Sequence, residues 1–245
     1  MNRDGARATA RLALRGVAFA TLATWALAAA ADEPSILLIG GSQGSAVSSY
    51  TYLGAIQPMV GASVGRGGFY KTVASWLTYR YDTEIGGANV DVNASAPGIE
   101  TGVGYAWDSA TFKADVSLVA GVRNIRLRPD VDTDGPRGTH LTLTPQLSSR
   151  VLLTRSLEAD VIASYSFGTR GQFTRVRVGA EPAAGWRVGL EAALAAGPYY
   201  RTLQRGAFVG MSVAPGWFVE LNAGRAEPHS GSSSSYIGIS FSNVR

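Results

Sequence analysis

Apolar and polar residues alternate one by one along most of this chain, and this pattern constrains its fold more than any other feature. Successive side chains of a β-strand point to opposite faces, so sustained alternation predicts strands with one apolar and one polar face. Nine such segments follow residue 98, and three less regular ones cover residues 35–43, 49–58 and 69–81. The sequence therefore predicts an all-β fold of about twelve strands.

The length and polarity of these segments distinguish a membrane barrel from a soluble sandwich. Many of them run for ten residues or more, which matches the ~9–11 residues that a tilted strand needs to cross a bilayer. Their polar faces carry Gly, Ser, Thr and Arg, and only 16% of the chain is charged. An average soluble domain has about 25% charged residues. We therefore predict that the apolar faces contact lipid and that the polar faces line a lumen.

A sheet that crosses a bilayer must satisfy all of its backbone hydrogen bonds internally, so it has to close on itself. The even strand count predicts a transmembrane antiparallel up-and-down β-barrel, monomeric, in the bacterial outer membrane and surrounded by outer-membrane lipid. Aromatic residues near strand ends are expected to form its two interfacial girdles. This set comprises Tyr79, Tyr81, Tyr105, Trp107, Tyr165, Phe167, Trp186, Trp217 and Phe241.

The connections are expected to differ between the two ends of the barrel. Outer-membrane barrels typically have short periplasmic turns and longer extracellular loops. Residues 59–68 are long for a periplasmic turn. The tight links are residues 108–109, 154–155, 182–185 and 214–216, and the longer polar ones are residues 82–97, 128–138 and 226–235.

Residues 1–31 have the pattern of a secretory signal peptide. Four arginines precede an uncharged stretch rich in Ala and Leu, and Ala29-Ala30-Ala31 supplies a small-residue cleavage site. We predict a signal peptide at residues 1–31 and one outer-membrane barrel domain at residues 32–245. Without the first segment the net charge falls from +4 to +1, so the charge gives no support to a nucleic-acid partner.

Few residues offer catalytic or metal chemistry. The absence of cysteine excludes disulfides, thiolate metal sites and cysteine nucleophiles. His140 and His229 are the only histidines, and neither belongs to a G-x-S-x-G motif, so ordinary rim or loop histidines are favoured. Asp130, Asp132 and Asp134 match the first half of a calcium loop, but its twelfth position is not acidic, and an acidic turn is favoured. We predict no cofactor, no metal site and no catalytic residue.

Opposite charges gather on the polar faces of three consecutive predicted strands. A barrel of twelve strands is intermediate between one filled by side chains and one that holds a water channel. These charges are expected to form either a salt-bridged plug or a selective pore. The inward aromatic residues are expected to be Tyr200, Phe208 and Phe218. The lumen charge cluster comprises Glu158, Asp160, Arg175, Arg177, Arg187 and Glu191.

Arg205 is an exception on the apolar face of its strand, near the predicted outer end. Its side chain is expected to snorkel toward lipid headgroup phosphates. The alternative is a β-bulge that turns this side chain away from the lipid.

The C-terminal two thirds of the chain resemble the BcsS-type cellulose biosynthesis proteins, and residues 52–55 fit the early strand of that family more loosely. The resemblance implies a role in making, exporting or anchoring cellulose at the outer membrane, with cellulose or the cellulose synthase complex as partners and without a catalytic assignment. The motifs that carry it are Ser164-Tyr165-Ser166, Arg175-Val176-Arg177-Val178-Gly179, Gly189-Leu190-Glu191-Ala192, Tyr200-Arg201 and Arg205-Gly206-Ala207.

Three functional hypotheses follow. The first is a non-catalytic outer-membrane barrel that is accessory to cellulose biosynthesis, export or surface anchoring. The second is a small porin or selective channel for ions or anionic solutes. The third is a lipid-modifying outer-membrane enzyme that uses His140 or His229.

Overall fold

The computed structural model describes residues 35–85, 87–130, 136–198, 200–229 and 232–245. The predicted signal peptide lies outside these residues. Within them, no helix is long and apolar enough to cross a membrane. The described residues form twelve strands: β1 Leu37–Ser45, β2 Ser48–Pro58, β3 Gly67–Ile85, β4 Ala88–Asp108, β5 Phe112–Arg128, β6 Gly138–Leu152, β7 Leu157–Ser166, β8 Gly171–Ala180, β9 Trp186–Gly197, β10 Tyr200–Ala214, β11 Trp217–Pro228 and β12 Ser234–Val244.

The strands form one closed barrel in which each pairs antiparallel with its neighbours in the sequence, and β12 pairs with β1. The predicted fold class and strand number are therefore confirmed. The closing pair runs from Leu37 opposite Val244 to Ser45 opposite Tyr236. Beyond it, Ile36 and Arg245 exchange two backbone hydrogen bonds of 2.8 and 3.1 Å. We call the end of the barrel that carries both termini the terminal end, and the opposite end the outer end.

The predicted alternation places large apolar side chains outside and polar ones inside. Leu190 and Ile237 on the outer wall are each 69% exposed. Asp160, Arg177 and Glu191 are buried on the inner wall. An apolar surface that continues around a whole barrel cannot face water. It matches the lipid-facing band of an outer-membrane barrel.

Aromatic side chains mark both edges of this band. Near the terminal end, the rings of Trp217 and Phe241 are 6.0 Å apart. Near the outer end, those of Tyr165 and Phe167 are 5.0 Å apart. The assignment of Tyr79 to the girdle is wrong, because its ring is buried in an apolar cluster inside the barrel. Tyr81 packs against the same cluster, so it too is not a girdle residue.

The segment 82–97, predicted as a loop, is instead part of a long hairpin. β3 and β4 pair without interruption from Gly67 opposite Ala106 to Ile85 opposite Ala88. Residues 90–96 do alternate between small apolar and polar side chains, but Asn and Asp are depleted in strands and this hid the pattern. Backbone pairing with β3 overrides that local preference.

The predicted asymmetry of connection lengths is only partly right. Nine residues separate Arg128 from Gly138 at the outer end, but residues 46–47 at the same end are as short a link as residues 215–216 at the terminal end. Long strands, more than long loops, extend the barrel at its outer end, because β3, β4, β5 and β6 have 19, 21, 17 and 15 residues. We call the outer parts of β3, β4 and β5, residues 77–85, 88–96 and 125–128, the flap.

The inner face of the flap is apolar. Its cluster is centred on Val92, whose side chain is fully buried. Tyr200 on β10 reaches the cluster across the barrel, with its ring 5.2 Å from that of Tyr79. The remaining members are Ala94, Ala96, Ile125 and Leu127.

The orientation of the outer wall predicts how charge is tolerated on it. Leu190→Arg lies midway along β9 and should cost about 2–4 kcal/mol of unfolding free energy in bilayers, because a guanidinium at the bilayer midplane loses its hydration. Leu141→Arg, also outward but close to the outer end of β6, should cost about 0–1 kcal/mol. Urea titration in lipid vesicles measures both. Equal costs would contradict the lipid-facing assignment.

Candidate functional site in the barrel lumen

Arg177 is at the centre of the predicted charge cluster. Its guanidinium pairs with Glu191 of the next strand at 2.6 Å and with Glu220 of β11, also at 2.6 Å. The exposed fractions of these three side chains are 4%, 3% and 7%. A buried charge is tolerated only when it is paired and hydrogen-bonded, and here one cation is held between two carboxylates.

Glu191 extends this network to further strands. Its Oε1 accepts hydrogen bonds from Nδ2 of Asn222 at 2.7 Å and from the hydroxyl of Tyr236 at 2.8 Å. The amide of Gln43 on β1 approaches Asn222 at 3.4 Å and donates to Gln204 on β10 at 2.6 Å. One connected set of side chains therefore links β1, β8, β9, β10, β11 and β12 across the lumen.

A second ion-pair group lies nearer the terminal end. Arg187 pairs with Glu158 and, at 3.1 Å, with Asp160. Phe208, expected as an inward aromatic residue, is 3% exposed. Its ring lies 4.6 Å from the guanidinium carbon of Arg177 and 5.5 Å from that of Arg187. The ring of Phe208 therefore contributes a cation–π interaction to each guanidinium.

Arg175 is different from the other members of the cluster. Among the described residues it makes no ion pair, and its buried Nε has no hydrogen-bond partner. The structure therefore brings five of the six predicted residues into ion pairs and leaves the guanidinium of Arg175 available in the lumen.

The facing wall has polar contacts of its own. Lys71 donates a hydrogen bond to Gln146 at 2.9 Å, and Thr144 donates one to Glu100 at 2.9 Å. Arg123 binds the Ser75 hydroxyl and the carbonyl of Ala96, both at 3.0 Å. Among the described residues, Arg123 pairs with no carboxylate.

Tyrosines line the outer part of the lumen. Tyr50 lies in register with Gln43 and faces inward toward Ser75, yet 40% of it is exposed. Its ring stacks on that of Tyr52 at 5.7 Å. Open space therefore remains beside this inward side chain, near the outer end of β2. We call this region the outer vestibule and define it by Gln43, Tyr50, Tyr52, Arg123, Arg175, Tyr200 and Gln204.

The sequence analysis missed several of these inward residues. Glu220 and Asn222 have the expected inward parity, but their contact with β8 and β9 depends on the curvature of the closed wall. Tyr50 and Tyr52 were missed because β2 carries Leu53 and Ile56 on opposite faces, and its alternation is too weak to orient it.

The residues considered for catalysis or calcium binding lie apart from this network. Nε2 of His140 is 3.0 Å from the carbonyl of Arg137, and the backbone N of His229 donates to the carbonyl of Arg201. Among the described residues, neither histidine is hydrogen-bonded to a serine. Asp130 is exposed, while the other two aspartates of the calcium motif lie outside the described residues. The described part holds no cluster of three metal-ligating side chains.

A closed barrel with an apolar outer wall and a polar, side-chain-filled interior defines an outer-membrane β-barrel protein. Solved structures support this class. The β-domain of the Bordetella autotransporter BrkA is 12% identical with a TM-score of 0.51, and the match covers 87% of this chain and 100% of that one. An outer-membrane channel from Pseudomonas putida F1 is 9% identical with a TM-score of 0.50, covering 88% and 97%.

The family is defined more narrowly. Residues 37–245 match the family described as cellulose biosynthesis protein BcsS, and the chain belongs to that family. The resemblance seen in the sequence is therefore confirmed and covers the whole barrel. A comparison with curated proteins finds no match.

The buried network predicts a strong dependence on Arg177. Arg177→Ala leaves the carboxylates of Glu191 and Glu220 buried without their cation, and should lower the unfolding free energy by about 3–5 kcal/mol. The control is Arg150→Ala, because Arg150 is 44% exposed and lies 3.8 Å from Glu158. This variant should lose less than about 1 kcal/mol. Similar losses in urea titrations of the two variants would refute the role of the network.

Proposed function

We propose that this barrel is a non-catalytic accessory of cellulose biosynthesis that holds a glucan segment at the cell surface, in its outer vestibule. The observation that carries the proposal is the exposed, inward-facing Tyr50 above a lumen filled by buried ion pairs. Membership of the BcsS family connects the barrel with cellulose. The outer vestibule is the proposed binding site for the polysaccharide on this barrel.

The packing below the vestibule favours retention over passage. The side chains of Arg177, Glu191 and Glu220 are almost completely buried, so they leave little room beside them. A chain threading the barrel would have to separate these charges, and breaking a buried ion pair is costly. Association at the mouth needs no such rearrangement.

The chemistry of the vestibule suits a neutral polysaccharide. Binding sites of this kind combine aromatic surfaces with a few polar groups that fix orientation. Tyr50 and Tyr52 offer ring faces to the C–H face of a sugar. The amides of Gln43 and Gln204 and the guanidinium of Arg175 offer hydrogen-bond donors to its hydroxyls. The cellulose itself and the cellulose synthase machinery are the proposed partners, and the barrel acts as a monomer.

The tyrosines provide the test. In the native host, Tyr50→Ala/Tyr52→Ala should release cellulose from the cell surface into the medium, with total polymer unchanged, because the two stacking faces are lost. Deletion of the gene should do the same. Surface and released cellulose are quantified separately, and immunoblots confirm that the barrel is present.

Tyr165→Ala is the matched control, because Tyr165 lies on the outer wall and its loss should leave retention intact. Unchanged retention in the deletion strain would refute the cellulose role. Loss of retention in the deletion strain but not in the double variant would refute the vestibule as the binding site and leave the cellulose role standing.

A selective channel is the second candidate, and the unpaired guanidinium of Arg175 is the observation that favours it. The buried network predicts instead that the purified barrel is silent in planar bilayers. Anion-selective conductance that falls in Arg175→Gln would establish the channel. It would also refute the proposal that the barrel holds a glucan above a closed lumen. Arg126→Gln, an exposed arginine at the outer end of β5 and outside the vestibule, is the control for a general loss of positive charge.

A further inference from the structure

Two arginines face each other on the outside of the barrel. Arg205 on β10 and Arg225 on β11 are register partners. Both follow the outward parity of their strands, above Ala207 and Ala223. The only register shift between these strands lies at Ser212/Ala214, far from Arg205, so no bulge turns its side chain away from the lipid.

The chain itself does not neutralise this pair. Like charges directly opposite each other on one face of a sheet are destabilising. Among the described residues, the only acidic partner of Arg205 is Glu227, 3.8 Å away, with side-chain exposures of 64% and 42%. Arg225 is hydrogen-bonded to the hydroxyl of Ser233 at 3.0 and 2.5 Å. Arg201 is exposed on the same face of β10, so the patch has three cations and one carboxylate.

The patch lies at the level of lipid headgroups. Arg225 is eight residues along β11 from Trp217 of the terminal girdle. With a rise of about 3.4 Å per residue and a tilt of about 40°, this spans roughly 21 Å. The lipid-facing apolar band of an outer-membrane barrel is about 25 Å tall. Tyr165 of the outer girdle is likewise eight residues along β7 from Leu157.

We propose that Arg205 and Arg225, supported by Arg201, form a binding site for the phosphate of an outer-leaflet lipid. A phosphate between the paired guanidiniums replaces their repulsion with two charge-assisted hydrogen-bond pairs, and its acyl chains continue over the apolar wall below. Guanidinium suits this geometry because its planar fork binds phosphate oxygens bidentately. The site is independent of the lumen and of the proposed cellulose role.

The test uses the mature barrel in neutral detergent micelles. Bisphosphorylated lipid A should bind the wild-type protein at least tenfold more tightly than dephosphorylated lipid A, by titration calorimetry. Arg205→Gln/Arg225→Gln should lose at least about tenfold in affinity for the phosphorylated lipid, because two charged hydrogen-bond donors are removed. Arg126→Gln, an exposed arginine at the outer end of β5, should bind like wild type.

Each other outcome overturns the proposal. Equal affinity of the wild-type protein for both lipids would show that phosphate is not recognised, and this result needs no variant to fold. Equal loss in Arg126→Gln would show a general effect of surface charge. Full competition by inorganic phosphate at micromolar concentration would show a site for the free ion instead of a lipid. The heat-dependent gel mobility of each variant confirms its folded state.

Discussion

The backbone has to satisfy its own hydrogen bonds in a medium that offers none, and the rest of this structure depends on that constraint. It requires the sheet to close, which fixes the pairing of β1 with β12. Closure then determines the two surfaces. The outer wall has to be apolar because it meets hydrocarbon, and the inner wall can carry the arginines and carboxylates that are buried there.

The inner ion pairs matter because they join side chains from different strands. Arg177 is bonded to Glu220 three strands away as well as to Glu191 on the neighbouring strand. The network therefore connects strands that do not pair with each other. A buried ion pair adds little net stability, but loss of one partner is expensive. The network is therefore sensitive to the loss of any one of its members. The outer vestibule, by contrast, keeps exposed tyrosine surface and the unpaired Arg175, where a ligand would cost little rearrangement.

The sequence predicted the strands and their inward faces better than the contacts between side chains in the lumen. From β5 to β12 strong alternation identified both the strands and their inward faces, including Arg177 and Glu191. The flap hairpin was mistaken for a loop because Asn89, Asp91 and Asn93 disfavour strands locally, whereas β3 pairs with every one of them. Which inward groups meet is set by curvature and stagger, so Glu220 and Tyr236 could not be assigned to Arg177 or Glu191 from spacing alone. The contact of Tyr79 with Tyr200 from the far wall likewise could not be read from the sequence.

The seam between the first and last strands has a consequence for the order of biogenesis. Leu37 has no partner on one side until Val244 is available, so the barrel cannot close before β12 has been synthesised. A chain that stops before β12 would leave β1 and β11 as free edges, which are templates for aggregation. Closure is therefore a late step of folding, because it needs every strand from β1 to β12.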